Sequence, residues 1–175
     1  MIPHPFFEKF MASETFDVNM LNPFIKCTKD VFEKMARIQV QREGLKLKSD
    51  YLMDGRYSGI IGLAGAGSGS AIISLPDSLA RTTVANMLYM EPEELSDDDI
   101  EDGVGELINM VAGAAKSSFS DTPFSFDISL PMVLKGVPGK YEVAHKAGVP
   151  CFEIKFSCFE LGETFILEIS IKSNN

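Results

Sequence analysis

SDDDIEDGVGELINMVAGAAKSSFS, residues 96–120, is the stretch from which the rest of the chain takes its reading. Ser96 stands three residues ahead of Asp99, the spacing of a capping box, and Asp97, Asp98 and Asp99 put negative charge where a helix N-terminus favours it. A rotation of about 100° per residue from Ile100 sorts the side chains onto two faces. Ile100, Val104, Leu107, Val111, Ala114, Ala115 and Ser118 fall on one side and need a core. Asp102, Glu106, Asn109, Gly113 and Lys116 form a narrow stripe opposite. Glu106 and Asn109, three apart, are surface neighbours, and Gly113 lies one turn further along. A glycine within an exposed helix face costs roughly 1 kcal/mol relative to alanine. It is easiest to understand where another backbone must come close. Spacing alone does not make this stripe a site, because most outward Glu, Asn and Lys side chains are simply solvated.

The whole chain narrows the classes of function. Its 175 residues fit one domain with a substantial core, and 45% of them are hydrophobic. A formal charge of −9 argues against nucleic acid or an anionic membrane surface as partner. No apolar run has the length of a membrane span. The N-terminus, MIPHPFFEKFMASETF, lacks the basic start and apolar centre of a signal peptide, so a cytoplasmic location is expected. Cysteines at 27, 151 and 158 suggest neither a disulfide framework nor a zinc site, and read as reduced thiols. Cys151 and Cys158, seven apart in one strand, should face opposite sides. With His4 and His145 the only histidines, a multi-histidine metal site is excluded within one chain and a histidine-centred triad is disfavoured.

In chain order, residues 1–20 read as an N-terminal extension with a short helix through 6–11, and residues 21–175 as one domain. Asn22-Pro23 signals a helix start with Asn as cap, running to about Val40 with Phe24, Thr28, Val31, Phe32, Met35 and Ile38 inward. Leu45, Leu47, Ser49, Tyr51 and Met53 then alternate as a half-buried strand, and Asp54-Gly55 turns the chain. Strands follow over 56–63 and 70–75, then a shorter helix over about 78–89 leads to the opening stretch. Beyond it Phe124, Phe126, Ile128, Leu130, Met132 and Leu134 alternate as one strand. Residues 135–150 form a loop, and two last strands carry Phe152 to Cys158 and Phe165 to Ile171. Short turns between strands imply a largely antiparallel sheet. The fold class is therefore α+β, with two long helices and one shorter one. Helix followed by three strands occurs twice, which points to an internal α-βββ duplication.

Two stretches tempt toward other chemistry and fail. GLAGAGSGSA at 62–71 lacks both the Lys-Ser/Thr ending of a phosphate loop and the spacing of a dinucleotide fingerprint, and reads as a hairpin turn. EPEELSDDDIED lacks the glycine and spaced ligands of a calcium loop. No Ser or Cys sits in a recognisable nucleophile setting.

Asp102-Gly-Val-Gly-Glu106-Leu-Ile-Asn109-Met-Val-Ala-Gly113-Ala-Ala-Lys116 resembles the signature helix of the CheX and CheC group of chemotaxis phosphatases. Asn22-Pro23-Phe24, residues 59–80 (GIIGLAGAGSGSAIISLPDSLA) and residues 129–143 (SLPMVLKGVPGKYEV) extend the resemblance over roughly 20–172. A single Glu-x-x-Asn, with Glu33-x-x-Ala36 in the first helix, is similar to the CheX type. The resemblance implies a CheC-like fold and a phosphatase acting on the aspartyl phosphate of a CheY-type response regulator. It gives Asn109 the placing of the attacking water and Glu106 the docking onto a regulator lysine. Gly105 and Gly113 would let the regulator approach the helix closely, and Asp102 and Lys116 would border the contact. It also implies no cofactor of the chain's own, magnesium carried by the regulator, and a homodimer. The rival class is a non-catalytic module that binds a regulator or assembles as flagellar switch domains do; an intact Glu-x-x-Asn favours the enzyme.

Overall fold

The computed structural model describes residues 18–145 and 148–174. The helix expected over 6–11 lies outside the described residues, and Val18–Leu21 forms a single 3-10 turn leading straight into the first helix. That helix, α1, runs Asn22–Val31 and is extended by a wider, π-type turn over Phe32–Ala36. Two expectations are corrected here. Asn22 is already helical, because the preceding turn supplies helical backbone and Leu21 occupies the cap. The helix also stops at Ala36 and not near Val40, because Arg37 takes the left-handed conformation at φ 56° and ends it. Met35, expected inward, is exposed.

The remaining elements are β1 (Gln41–Leu47), β2 (Tyr57–Gly65), β3 (Gly67–Leu75), α2 (Asp77–Leu88), α3 (Asp97–Lys116), β4 (Phe126–Ile128), β5 (Met132–Lys135), β6 (Cys151–Cys158) and β7 (Glu163–Ser173). The first strand begins and ends earlier than its alternation suggested; Leu52 keeps only an isolated bridge to Glu142. The glycine-rich stretch is a tight hairpin as expected, with Gly65 at φ 151° ending β2 and Gly67 opening β3. Residues 124–134 are two strands, not one. Pro131 has no N–H for a ladder, the chain breaks at Ser129–Pro131, and both pieces pair separately with β2.

All pairings are antiparallel, in the order β1-β6-β7-β3-β2-β4, with β5 also on β2. Exchanging β1, β2 and β3 for β4/β5, β6 and β7 reads this order backwards. A duplicated α-βββ unit meeting its copy along β3 and β7 gives that arrangement.

One face of the sheet shares a single core with the three helices. Phe24 stacks toward Phe126 and Phe119, and Phe165 lies between Phe32 and Phe156 at 4.7 and 5.1 Å. Two glycines set α3 deep in this layer. A Cβ on Gly59 of β2 would stand 2.9 Å from the Val104 carbonyl, and one on Gly103 would stand 2.5 Å from Val84 of α2. The other sheet face is polar, and Cys151 lies on it while Cys158 joins the core.

Candidate functional site

Helix α3 begins as its sequence dictates. The Asp99 N–H donates to Ser96 Oγ at 3.2 Å, and the Ser96 N–H donates to Asp99 Oδ2 at 2.8 Å, a complete capping box. Asp97 accepts from Lys135 and from Arg81, and those two cations hold its carboxyl below the usual range. The first turn is thereby tied to α2 and β5, which fixes how the rest of the helix is rotated.

The buried side consists of Ile100, Val104, Gly105, Leu107, Ile108, Val111, Ala112 and Ala115. It adds Gly105, Ile108 and Ala112 to the face expected, with Ile108 against Gly59 of β2 and Gly105 beneath Pro131 and Val133. Ala114 and Ser118, placed inward by the helical wheel, are exposed. The opposite stripe survives intact: Asp102, Glu106 and Gly113 are exposed, Asn109 and Lys116 half-buried.

Within the stripe the Asn109 Nδ2 donates to Glu106 Oε2 at 3.3 Å. This bond is long, so it aligns the two side chains without locking them. The amide keeps a second N–H and its oxygen for another group. An uncharged donor-acceptor beside a carboxylate, on a ridge facing solvent, can present itself to a charged partner without repelling an anion. Lys116 donates to Asp127 of β4 at 2.5 Å, so it already has a partner in its own chain; both groups are solvated and the pair contributes little to stability.

The two glycines expected to make room behave differently. Gly105 is buried, and a Cβ there would meet Val133 at 3.4 Å and Pro131 at 3.8 Å. The chain's own Pro131 and Val133 cover it, at distances a Cβ would meet as ordinary contact. Gly113 is open: a Cβ would touch only the Ile128 Cδ1, at an ordinary 3.8 Å. Nothing inside the protein demands glycine there. Gly113→Ala should therefore raise stability by about 1 kcal/mol through helix propensity alone, read as a higher Tm. A fall in Tm would show that the position carries an internal constraint.

The sequence pattern hid one neighbour of this ridge. Leu130 is 90% exposed and Met132 61% exposed, although alternation placed both inward. They flank Pro131, whose ring lies against α3 at Gly105, one residue from Glu106. Pro131 itself was the available signal, since a proline inside an alternating run argues against a continuous strand. The pair adds an apolar border to the polar ridge, an arrangement suited to a protein surface.

The first helix offers no second copy of this site. Glu33 is exposed, but Ala36 is buried and its carbonyl accepts from Asn86 Nδ2 at 2.7 Å. The position matching Asn109 thus closes the end of α1 against α2.

The family model described as chemotaxis phosphatase CheX matches residues 57–157. A CheC-like superfamily protein from Shewanella sp. PV-4 superposes with a TM-score of 0.78 at 32% identity, covering 89% of this chain and 99% of that one. The chemotaxis protein CheX from Vibrio vulnificus gives 0.77 at 30% identity, with 88% and 99% covered. At 24% identity, the CheX of a CheX-CheY-BeF3-Mg2+ complex from Borrelia burgdorferi shares the fold with a TM-score of 0.71, covering 90% and 100%. No curated protein matches the chain. Among the described residues, no helix is long and apolar enough to cross a membrane.

Proposed function

The chain belongs to the CheX family of chemotaxis phosphatases, and from that premise we propose that it hydrolyses the aspartyl phosphate of a CheY-type response regulator through Asn109. The observation that carries this reading is the exposed, hydrogen-bonded Glu106–Asn109 pair on the ridge of a rigidly seated helix. An acyl phosphate is already reactive, so hydrolysis needs a placed water and balanced charge more than a nucleophile from the enzyme. The Asn109 amide would enter beside the phosphoryl group and hold that water in line. Glu106 would pair with a lysine at the regulator's active site, with Gly113 giving the partner backbone room to approach. Leu130 and Met132 would cover apolar surface beside the contact, while Asp102 and Lys116 stand at its rim.

The Borrelia burgdorferi CheX was solved with CheY, BeF3 and Mg2+, and BeF3 on a carboxylate stands in for a phosphoryl group. By that analogy the magnesium belongs to the regulator. The homodimer implied by the resemblance would have the outer strands β1 and β4/β5 for pairing. Cytoplasmic location follows from the same substrate.

The test is phosphate release from a CheY-type regulator charged with acetyl phosphate, with and without the full-length protein. Acceleration at substoichiometric protein is expected. Binding of the charged regulator without acceleration would make the chain an interaction module and overturn the reading.

A further inference from the structure

On the sheet face turned away from the helices, β6 and β7 bury charge. Glu168 is 1% exposed, and its Oε1 accepts from Lys48, whose side chain is 3% exposed. Glu168 Oε2 lies 2.8 Å from His145 Nε2 and 3.8 Å from Cys151 Sγ, and that sulfur is 3.2 Å from the same His145 nitrogen. Three different ligand atoms, from two neighbouring strands and the segment preceding β6, thus face one another. Burial, and then the Glu168 carboxylate, push the Cys151 thiol up, which makes it a poor nucleophile on its own.

We propose that His145 Nε2, Cys151 Sγ and Glu168 Oε2 form a three-ligand site for a divalent transition-metal ion of the zinc class. Bond lengths of about 2.0–2.3 Å to N, O and S in a tetrahedron require ligand atoms about 3.3–3.6 Å apart. The observed separations bracket those edges, so a shift of a few tenths of an ångström per atom would seat an ion. The outer atoms of the ligands are already held. His145 Nδ1 is 3.2 Å from Ser70 Oγ, and Glu168 Oε1 is engaged by Lys48, which leaves Nε2 and Oε2 for the inner shell. A thiolate and an imidazole beside one carboxylate suit zinc or cobalt(II), not magnesium or calcium. As the metal–sulfur bond forms, the thiol proton leaves to solvent. The imidazole changes tautomer, so that the proton Nε2 gives to Glu168 sits on Nδ1, where Ser70 Oγ accepts it. Thiolate and carboxylate then offset the dication, with Lys48 still paired to Glu168 Oε1. The ion would clip the segment carrying His145 onto β6 and β7. Since this lies across the sheet from Asn109, the site stands or falls independently of the phosphatase reading.

Full-length protein stripped with a chelator and titrated with cobalt(II) provides the test. One equivalent should bind per chain, with near-ultraviolet sulfur-to-cobalt absorption and strong tetrahedral visible bands, both displaced by zinc. Cys151→Ser and His145→Gln should each abolish the signal. Cys158→Ser should keep it, because that thiol lies in the core on the other face. Ser70→Ala should weaken binding about tenfold through loss of the group that orients His145. Zinc should also raise the Tm of the wild type and not of His145→Gln, a readout that survives if a cysteine variant folds poorly. Absence of the absorption, or its persistence in Cys151→Ser, would show that these three side chains only hydrogen-bond one another.

Discussion

Replacing Asn109 with alanine should leave a protein that folds and binds the phosphorylated regulator but no longer speeds its loss of phosphate. Stability should not fall. Asn109 is half-buried, its bond to Glu106 is long, and alanine is the better helix former by several tenths of a kcal/mol. Activity is another matter, because an uncharged amide that places water and donates to the phosphoryl oxygens acts chiefly in the transition state. Removing one such preorganised donor costs about 10²–10³ in turnover. The proper measurement is single-turnover phosphate release at saturating protein, beside the Tm and the affinity for a beryllofluoride-charged regulator. Asn109→Asp, equal in size but charged, should be equally inactive, since it sets an anion against an anion. Retention of turnover in the alanine variant, with folding intact, would remove Asn109 from the chemistry.

Much of this fold lay open in the pattern of the chain, and the exceptions share a cause. The capping box at Ser96, the polar stripe of α3 and the β2–β3 hairpin arise from residues close together in sequence, so local rules sufficed. Periodicity failed where a distant segment decided the outcome. Ala114 and Ser118 are exposed because the core meets the helix on the neighbouring flank, at Ile108 and Ala112, which no wheel can show. Gly105 looked like room for a partner but is covered by Pro131 and Val133, nearly thirty residues on. The cluster of His145, Cys151 and Glu168 escaped for the same reason, since no local spacing links a loop residue to two strands. For the site itself, spacing gave only a solvated stripe; the resemblance of Glu106 to Asn109 and its surroundings supplied the chemistry. The two halves differ at the matching helix position. Both halves carry a long helix, but α1 ends at Ala36 in a buried contact where α3 continues for two more turns.

Replacing Glu106 with alanine should show the opposite division of effects from Asn109→Ala. Glu106 is exposed, lies one turn before Asn109, and is in no ion pair among the described residues, so its charge is available to a partner. A carboxylate that meets a lysine at the centre of a docking surface acts mainly on complex lifetime, and its removal leaves the lysine without its match. The affinity for the beryllofluoride-charged regulator should fall by about tenfold or more, carried mostly by faster dissociation. At saturating protein the single-turnover rate should recover most of its wild-type value, because Asn109 still reaches the phosphoryl group. Salt should separate this residue from the rim. The effect of Glu106→Ala should persist at high ionic strength if the contact is desolvated, whereas Asp102→Ala and Lys116→Ala should change association slightly and lose even that in salt. Gly113→Leu offers a matching steric control: it leaves both Glu106 and Asn109 in place, faces open space inside the protein, and should still block docking. If Glu106→Ala bound the charged regulator as tightly as wild type while Gly113→Leu did not, the ridge would remain the docking surface and the lysine pairing assigned to Glu106 would be wrong.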